Sequence, residues 1–416
     1  MLFFFCRHFN DLDHYLGIIY ILIKNGYKRK KIKVVFYNTW QQLLVNNQKI
    51  KNFENKISFE FPTQRSFITK YFYRFLYLLL KNPKIKPLFY AGLILKKIII
   101  NNDYKKGPIW NSVKRIISEA PKNSMFIFDH SINNYIKSFI PLIKKRKFKT
   151  VCVPHGLIHF NQKKKYLVEF NKSNHFGNNF DYVVSANNHQ SKVLRDEGLK
   201  KKLYELGSPR FCKPYVNFLE KKEKKIIFKK PAILFFVERG KIKYGKYEQI
   251  TTIQSEQQKI VNFLLSLKKN FKILIKGNTR DLDPQQKIFF NKLKEFKECE
   301  NIDSSVLIKS SELVICGGGS SIIFDVLARN KKLVLLPYFH PELGFININK
   351  INSLNYNSFT QFEKNFSKIL KNKQSFKKFL SKKNNSNQSS VFNNYIYSDK
   401  KKNYGKYYNF FIKIQK

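Results

Sequence analysis

A glycine run between two apolar segments constrains this chain more than any other feature. Residues 313–316 are apolar and rich in β-branched side chains, and they are followed by Gly-Gly-Gly-Ser-Ser at 317–321. Residues 322–328 then repeat apolar side chains with a helical period, and 333–336 form a second apolar run. The pattern predicts a strand, a glycine turn, a helix that begins after the serines, and another strand. Such a unit is typical of an α/β fold.

The chemistry of this turn favours an anion. Gly318 and Gly319 let the backbone approach a ligand closely. The first amides of the next helix carry free N–H groups and partial positive charge, and Ser320 and Ser321 add hydroxyl donors. Asp325 could accept ribose hydroxyls or simply lie near the positive end of the helix. The turn is therefore a candidate seat for a nucleotide phosphate, and the alternative is a glycine turn that binds nothing.

The composition indicates a large, basic, globular protein. The chain has 416 residues with 43% hydrophobic side chains, which allows two or three domains. The net charge is +51, from 79 basic and 28 acidic residues, and favours contact with polyanions or acidic lipid. No signal peptide or membrane-spanning segment is predicted, and five scattered cysteines suit a reducing cytosol. We expect a cytoplasmic protein that is peripheral at the inner face of the plasma membrane.

The order of predicted elements divides the chain into two α/β halves. Both are predicted to be Rossmann-like domains whose strand ends face a shared cleft. A basic aromatic segment at about 69–100 is expected either to lie in a membrane interface or to form an ordinary pair of amphipathic helices. The predicted regions are an N-terminal acceptor domain (1–206), a linker (207–230), a C-terminal nucleotide-donor domain (231–380), and a low-complexity segment with a terminal helix (381–416).

Polar side chains follow the first predicted strand, which spans residues 2–6. Residues 7–14 are polar and are predicted to form a loop at the carboxyl end of that strand, where open α/β sheets bind ligands. Asp11 and His14 are candidates for acceptor binding, and Asp13 is a candidate general base. The alternative is a solvated turn with helix-capping aspartates.

Three further candidates follow other predicted strands. His155 lies between a proline and a glycine after an apolar run, and a histidine there can remove a proton from an attacking hydroxyl. A purely structural histidine is the alternative. Lys276 and Arg280 come after another strand and could neutralise phosphate. No HxH, HExxH or clustered Cys/His pattern occurs, so no metal site is predicted.

Several short motifs together resemble a known family. They are Pro154-His155-Gly156, Gly207-Ser208-Pro209-Arg210, the Gly319-Ser320-Ser321 run that leads to Asp325, and the opening Arg-His-Phe-Asn-Asp-Leu-Asp-His. In this order they resemble GT-B glycosyltransferases. More closely, they are similar to bacterial capsule and surface-polysaccharide proteins related to CDP-glycerol glycerophosphotransferases.

The resemblance implies a nucleotide-activated donor in the C-terminal domain and a hydroxyl acceptor in the N-terminal one. His155 would be the histidine of the cleft, Ser320 and Ser321 would hold donor phosphate, and Arg210 and Asp325 would complete the donor side. Relatives tend to carry His-Pro after the strand that ends at Lys276. This chain has Gly-Asn-Thr-Arg there, so transfer of a sugar is expected rather than of glycerophosphate.

The predicted function is transfer of a glycosyl group from a nucleotide-activated donor to a surface glycan or lipid-linked acceptor, without a further cofactor. Three alternatives stay open: a CDP-glycerol glycerophosphotransferase, a sugar-nucleotide epimerase on the same fold, and a non-enzymatic polyanion-binding protein. No signature of a DNA- or RNA-binding module is present, so no specific nucleic-acid partner is expected.

Overall fold

Two parallel sheets, one in each half of the chain, organise the protein. The computed structural model describes residues 1–7, 9–37, 48–62, 67–81, 86–103, 107–129, 134–154, 160–161, 175–238, 241–244, 247–250, 253–277, 284–317, 320–339, 343–344, 354–381, 392–397 and 404–415.

The first half forms a sheet with helices on both faces. Its strands are β1 Leu2–Cys6, β2 Ile32–Phe36, β3 Ser58–Glu60, β4 Met125–Asp129, β5 Lys149–Val153, β6 Phe160–Asn161, β7 Tyr182–Ser185 and β8 Leu203–Glu205. Its helices are α1 Phe9–Lys24, α2 Gln48–Lys51, α3 Phe67–Lys81, α4 Lys86–Asp103, α5 Pro108–Glu119, α6 Asn134–Lys145 and α7 Asn188–Asp196. Within the described residues, seven of these strands form one parallel sheet in the order β3-β2-β1-β4-β5-β7-β8.

The second half repeats this plan with a smaller sheet. It contains α8 Lys213–Lys222, β9 Ala232–Phe236, β10 Lys241–Tyr244, β11 Tyr247–Ile250, α9 Ile253–Ser266, β12 Lys272–Lys276, α10 Pro284–Phe290, α11 Lys294–Cys299, α12 Ser304–Ser310, β13 Leu313–Gly317, α13 Ile322–Ala328, β14 Lys332–Leu336, β15 Leu343–Gly344, α14 Phe359–Leu370, α15 Lys373–Ser381 and α16 Gly405–Gln415. In the described part, four strands pair in parallel in the order β12-β9-β13-β14. The residues 207–230 contain a 3-10 turn at Pro209–Phe211 as well as α8.

Strand β1 shows why the first sheet is covered on both faces. Its five residues are all buried, and successive side chains point to opposite faces. Phe3 and Phe5 join the apolar cluster that includes residues of α5 and α6. Leu2, Phe4 and Cys6 join the cluster that includes residues of α1 and α16. A strand buried on both faces has no polar positions, so its sequence is a continuous apolar run.

The C-terminal helix packs against the N-terminal half. The Phe410 ring centroid lies 4.9 Å from that of Tyr204, and the Tyr407 hydroxyl donates to the Gly207 carbonyl at 3.0 Å. Gly207 has a φ of +90°, a conformation that other residues adopt at a cost, at the point where the chain leaves the first sheet. A short antiparallel pair between β6 and β15 also joins the two halves.

The predicted fold class is confirmed: the protein is α/β, with two Rossmann-like parallel sheets. The predicted loop at residues 7–14 is wrong, because α1 begins at Phe9. Asp11 lies in the first turn of that helix, and its carboxylate accepts the backbone N–H of Arg7 at 2.7 Å. Acidic side chains stabilise the positive end of a helix, so a polar stretch of this kind can be helical.

Candidate functional site

The 3-10 turn at Pro209–Phe211 lies where the two halves meet. Helix α1 approaches it at Gly17, whose missing side chain makes the contact possible. A Cβ atom at Gly17 would lie 2.6 Å from the Arg210 nitrogen and 2.9 Å from the Pro209 carbonyl carbon. Those distances are too short for any real side chain. The close approach therefore holds Arg210 beside the first turns of α1.

The Arg210 guanidinium joins polar side chains of both halves. Its Nη2 lies 2.7 Å from Asp325 Oδ2 on α13 and 3.6 Å from Asp13 Oδ2 on α1. Its Nη1 lies 3.3 Å from His14 Nε2. Because a guanidinium only donates, that geometry requires Nε2 of His14 to accept and leaves the ring proton on Nδ1. Arg210 thus connects the helix that follows β1 to the helix that follows β13.

A second ion pair also spans the two halves. Lys49 Nζ lies 2.7 Å from Asp13 Oδ1 and 3.5 Å from Asp303 Oδ2. Lys49 is on α2, and Asp303 caps α12 by accepting the Ser305 N–H at 2.9 Å. The side chains of Lys49, Asp13 and Arg210 are only 13–15% exposed. The interface therefore holds a largely buried network of alternating charges.

The network changes the pKa values of its members. Burial lowers the pKa of the Lys49 ammonium, but the Asp13 and Asp303 carboxylates outweigh it and the net change is upward. The pKa of Arg210 is also raised, since Asp325 and Asp13 outweigh burial. Burial opposes ionisation of Asp303, yet Lys49 and the Ser305 N–H lower its pKa to about 2. All three groups are accordingly charged at neutral pH.

Aromatic rings line the same interface. The His14 ring lies edge-on to Phe211, with centroids 6.2 Å apart, and Phe211 lies 5.8 Å from Phe324 of α13. Tyr215 on α8 is buried, and its pKa is raised well above the usual value by burial and by Asp13. Apolar packing therefore surrounds the charged network and reduces its contact with water.

The predicted phosphate seat lies one helical turn from this network. Ser320 and Ser321 are partly exposed and precede α13, and the Ile322 N–H approaches Ser320 Oγ at 3.4 Å. Asp325 is in the first turn of the same helix. At a rise of about 1.5 Å per residue, it lies roughly 6 Å along the axis from Ser321. The serines and Arg210 thus belong to one region.

A buried carboxylate lies against the start of the glycine turn. A Cβ atom at Gly317 would be 2.4–2.5 Å from the carboxylate atoms of Glu238, so only glycine allows this contact. Gln257 accepts the Glu238 N–H at 3.0 Å, and the Glu238 carbonyl accepts from Gln257 and Gln286 at 3.1 Å each. These two buried amides fix the position of Glu238 at the carboxyl end of β9.

Two predicted site residues, Asp11 and Lys276, form hydrogen bonds with backbone groups of the protein itself. The Asp11 carboxylate is buried and accepts the backbone N–H of Arg7. The Lys276 ammonium donates to the carbonyls of Cys299 and Glu300, each at 2.9 Å, and burial lowers its pKa. Lys276 therefore caps the C-terminus of α11 by donating to its last carbonyl groups. Phosphate binding by this side chain stays a prediction.

Four other predicted residues, His155, Arg280, Gly318 and Gly319, lie outside the described residues. Strand β5 ends just before Pro154, the residue that precedes His155. Because the sheet is parallel, this strand end lies on the same side of the sheet as the start of α1. Strand β5 is two positions from β1, or about 10 Å at the usual spacing of strands. The proposed role of His155 as base stays a prediction.

Sequence reasoning did not single out Lys49 or Asp303. Lys49 is one of many lysines, so its identity carried little information. Asp303 precedes two serines at the start of a helix, and this pattern indicates a cap rather than a contact with the other half. Among the described residues, no cluster of three or more His, Cys, Asp or Glu side chains could hold a metal ion.

A family model matches part of the N-terminal half of the chain. Residues 93–207 match the family described as glucosyltransferase 3-like, N-terminal domain. This range runs from α4 to the end of the first sheet. No curated protein matches the sequence.

Solved structures match over nearly the whole chain. Staphylococcus aureus MnaA, in a co-structure with UDP, has a TM-score of 0.51 at 10% identity and covers 92% of this chain and 91% of its own. A UDP-N-acetylglucosamine 2-epimerase has the same TM-score and identity, with 94% and 93% covered. A Rickettsia africae glycosyltransferase has a TM-score of 0.45 at 15% identity, with 100% and 97% covered.

The first two matches each cover more than nine-tenths of this chain, so the likeness of fold extends over both halves. The protein has a GT-B fold, and the part of its N-terminal domain within residues 93–207 is glucosyltransferase-like in sequence.

Proposed function

We propose that the protein transfers a glycosyl group from a nucleotide-activated donor to a hydroxyl acceptor. One observation carries this proposal. Arg210 joins Asp13, which follows the first strand of the N-terminal sheet, to Asp325, which follows the glycine turn of the C-terminal sheet. Ligand-binding ends of two α/β sheets therefore share one polar region, as a reaction between two bound substrates requires.

The C-terminal domain suits the donor. Ser320 and Ser321 can donate hydroxyl hydrogen bonds to phosphate, and the missing side chains of the glycine turn let the backbone come close. Glu238 carries only acceptor oxygens when ionised, so it suits hydroxyl groups of a ribose or sugar rather than phosphate. The fold accommodates a nucleotide, since S. aureus MnaA, which shares it, is described with UDP.

The N-terminal domain suits the acceptor and the proton transfer. His155 is the proposed base that removes the acceptor proton as the new glycosidic bond forms and the nucleotide leaves. The Asp13 carboxylate is already held by two cations, with Lys49 at 2.7 Å and Arg210 at 3.6 Å, so its oxygens are engaged within the protein. We therefore assign Asp13 and His14 to holding Arg210 and the acceptor in position, with Asp13 as the second candidate base.

The finer assignment is to biosynthesis of a surface polysaccharide, with a glycan or lipid-linked acceptor. It rests on the motifs shared with capsule and surface-carbohydrate proteins. Transfer of glycerophosphate from CDP-glycerol is the alternative within that group. It is less well supported, because the sequence after Lys276 lacks the His-Pro of those relatives.

The test is incubation of the purified full-length protein with UDP-, CDP- and CMP-linked donors, combined with calorimetric binding of UDP, CDP and CMP. We expect one nucleotide to bind and the S320A/S321A variant to bind it at least about tenfold more weakly, as expected for loss of a charged hydrogen bond. E238Q should weaken binding of the complete donor more than of the nucleotide diphosphate. S118A, on the exposed face of α5, is the matched control.

Four outcomes would contradict the proposal in different ways. Absence of any nucleotide binding removes the donor site, and binding unchanged by S320A/S321A removes the serines from it. Conversion of a sugar nucleotide without an acceptor indicates an epimerase instead. Tight, salt-sensitive nucleic-acid binding that H155A leaves unchanged would favour the polyanion-binding alternative.

A further inference from the structure

Helices α3 and α4 form a hairpin that is inserted between β3 and β4. The two helices cross closely at Gly92, where a Cβ atom would lie 3.1 Å from side-chain atoms of Leu79 and Leu80. Leu76 on α3 is buried, with 2% of its surface exposed. The side chains between the two helices are thus packed against each other. The exposed side chains lie on the outer face of the hairpin.

That outer face is apolar to an unusual degree. Ten of the twelve large apolar side chains that are exposed in the described residues lie on these two helices. On α3 they recur at the spacing of one helical stripe. The exposed set, which we call the apolar face, is Ile68, Tyr71, Phe72, Phe75, Leu78, Leu88, Tyr90, Leu93, Ile94 and Ile98. Exposed apolar side chains this concentrated in one part of a protein mark an interaction site.

The charge of the hairpin identifies the kind of partner. Residues 61–102 contain eight basic residues and no acidic one. Lys70 and Arg74 are exposed on α3 and flank its apolar stripe, and Lys97 is exposed on α4. Long basic side chains beside an apolar stripe can place their methylenes on hydrocarbon and their charges at headgroups.

We propose that the apolar face docks onto an anionic lipid surface. A second copy of this chain is disfavoured, because two such faces would bring together two strongly basic hairpins with only Asp103 on each as a counter-charge. Anionic lipid supplies both hydrocarbon for the aromatic and aliphatic side chains and negative headgroups for the lysines. Amphipathic helices with basic side chains of this kind lie in the plane of the membrane interface. In the described residues no helix is long and apolar enough to cross a membrane.

The experiment is co-sedimentation of the full-length protein with phosphatidylcholine vesicles, with and without phosphatidylglycerol, across a salt series. We expect binding to vesicles that contain phosphatidylglycerol, weakening as salt rises. F75S/L78S should reduce the partition coefficient by at least about tenfold. K70E/R74E should reduce it comparably, because each basic residue near an anionic surface contributes to binding.

Matched controls separate the hairpin from the overall charge. I227S/I288S removes two exposed apolar side chains elsewhere, and K114E/K122E makes the same charge change on other exposed lysines. Both should bind vesicles like the unaltered protein.

Equal losses of vesicle binding in the hairpin and control variants, or no vesicle binding at all, overturn the proposal. A dimer in sedimentation velocity that F75S/L78S abolishes also overturns it, in favour of a second copy. Donor binding by the C-terminal domain is independent of these outcomes.

Discussion

Replacement of Arg210 by methionine tests the view that the two domains are joined through one buried guanidinium. R210M keeps a side chain of similar length but removes every donor. Asp325 then loses its 2.7 Å partner, whereas Asp13 keeps the 2.7 Å contact with Lys49. The uncompensated carboxylate of Asp325 is the main cost of the substitution.

The size of the effect follows from burial. Removing one partner of a buried ion pair typically costs about 3–5 kcal/mol. The side chains of Arg210 and Asp325 are each 13% exposed, so some water remains and the lower end applies. We expect R210M to lower the free energy of unfolding by about 3 kcal/mol. D325N, which removes the charge and keeps the shape, should cost about 1–2 kcal/mol.

The double variant R210M/D325N isolates the interaction energy between Arg210 and Asp325 from the contributions of their other contacts. Asparagine leaves no uncompensated charge, so the double variant should cost less than the sum of the single variants by about 1–2 kcal/mol. Urea unfolding followed by far-UV circular dichroism and by tryptophan fluorescence measures each value. The two probes should agree if both domains unfold together.

An exposed ion pair provides the matched control. Arg115 and Glu119 on α5 are 69% and 60% exposed, and R115M should leave the unfolding midpoint almost unchanged. If R210M is as harmless as R115M, or if the R210M and D325N effects simply add, Arg210 does not hold the domains together and our interpretation of the site fails.

Three further predictions concern other parts of the site. The pKa of Asp303 is about 2 when folded and 3.8 when unperturbed, so its stabilising contribution is complete above the higher value and lost as pH falls through the lower one. D303N should therefore cost up to about 2 kcal/mol at neutral pH and less than about 0.5 kcal/mol at pH 2, by urea unfolding across pH. G17A should destabilise by about 1–3 kcal/mol through its clash with the Arg210 turn, and a gain of about 0.5–1 kcal/mol, as helix propensity alone predicts, would contradict that contact. K276M should cost about 1–3 kcal/mol with nucleotide affinity unchanged. Weaker nucleotide binding at unchanged stability would instead support the predicted phosphate contact of Lys276.

The sequence predicted the core strands well because they are buried on both faces. The predicted strand at 2–6 matches β1, and those predicted at 313–316 and 333–336 differ from β13 and β14 by one residue at one end. A continuous apolar run leaves little choice about where such a strand lies. Edge strands were missed, since β3 and β8 have partly exposed residues and no such run.

The contacts between the site residues were harder to predict than the identities of those residues. Asp13, His14, Arg210 and Asp325 were all predicted as site residues, and the structure brings these four together. Their pairing was not predicted, because His14 and Arg210 are 196 positions apart and nothing local connects them. The contact depends on Gly17, whose role appears only when α1 meets the turn.

The sign of each charge at the interface explains which residues the sequence could identify. Both cations that join the domains, Lys49 and Arg210, belong to the N-terminal domain or the turn that follows it, and their partners Asp303 and Asp325 belong to the C-terminal one. In a chain with 79 basic and 28 acidic residues, a lysine is a poor marker of function and an aspartate is a better one. A buried aspartate needs hydrogen-bond donors or a cation, because an uncompensated buried carboxylate is costly, and at this interface the partners are cations. The acidic residues therefore determine which few of the many basic side chains are held at the interface, and the remainder are available for surfaces such as the α3–α4 hairpin.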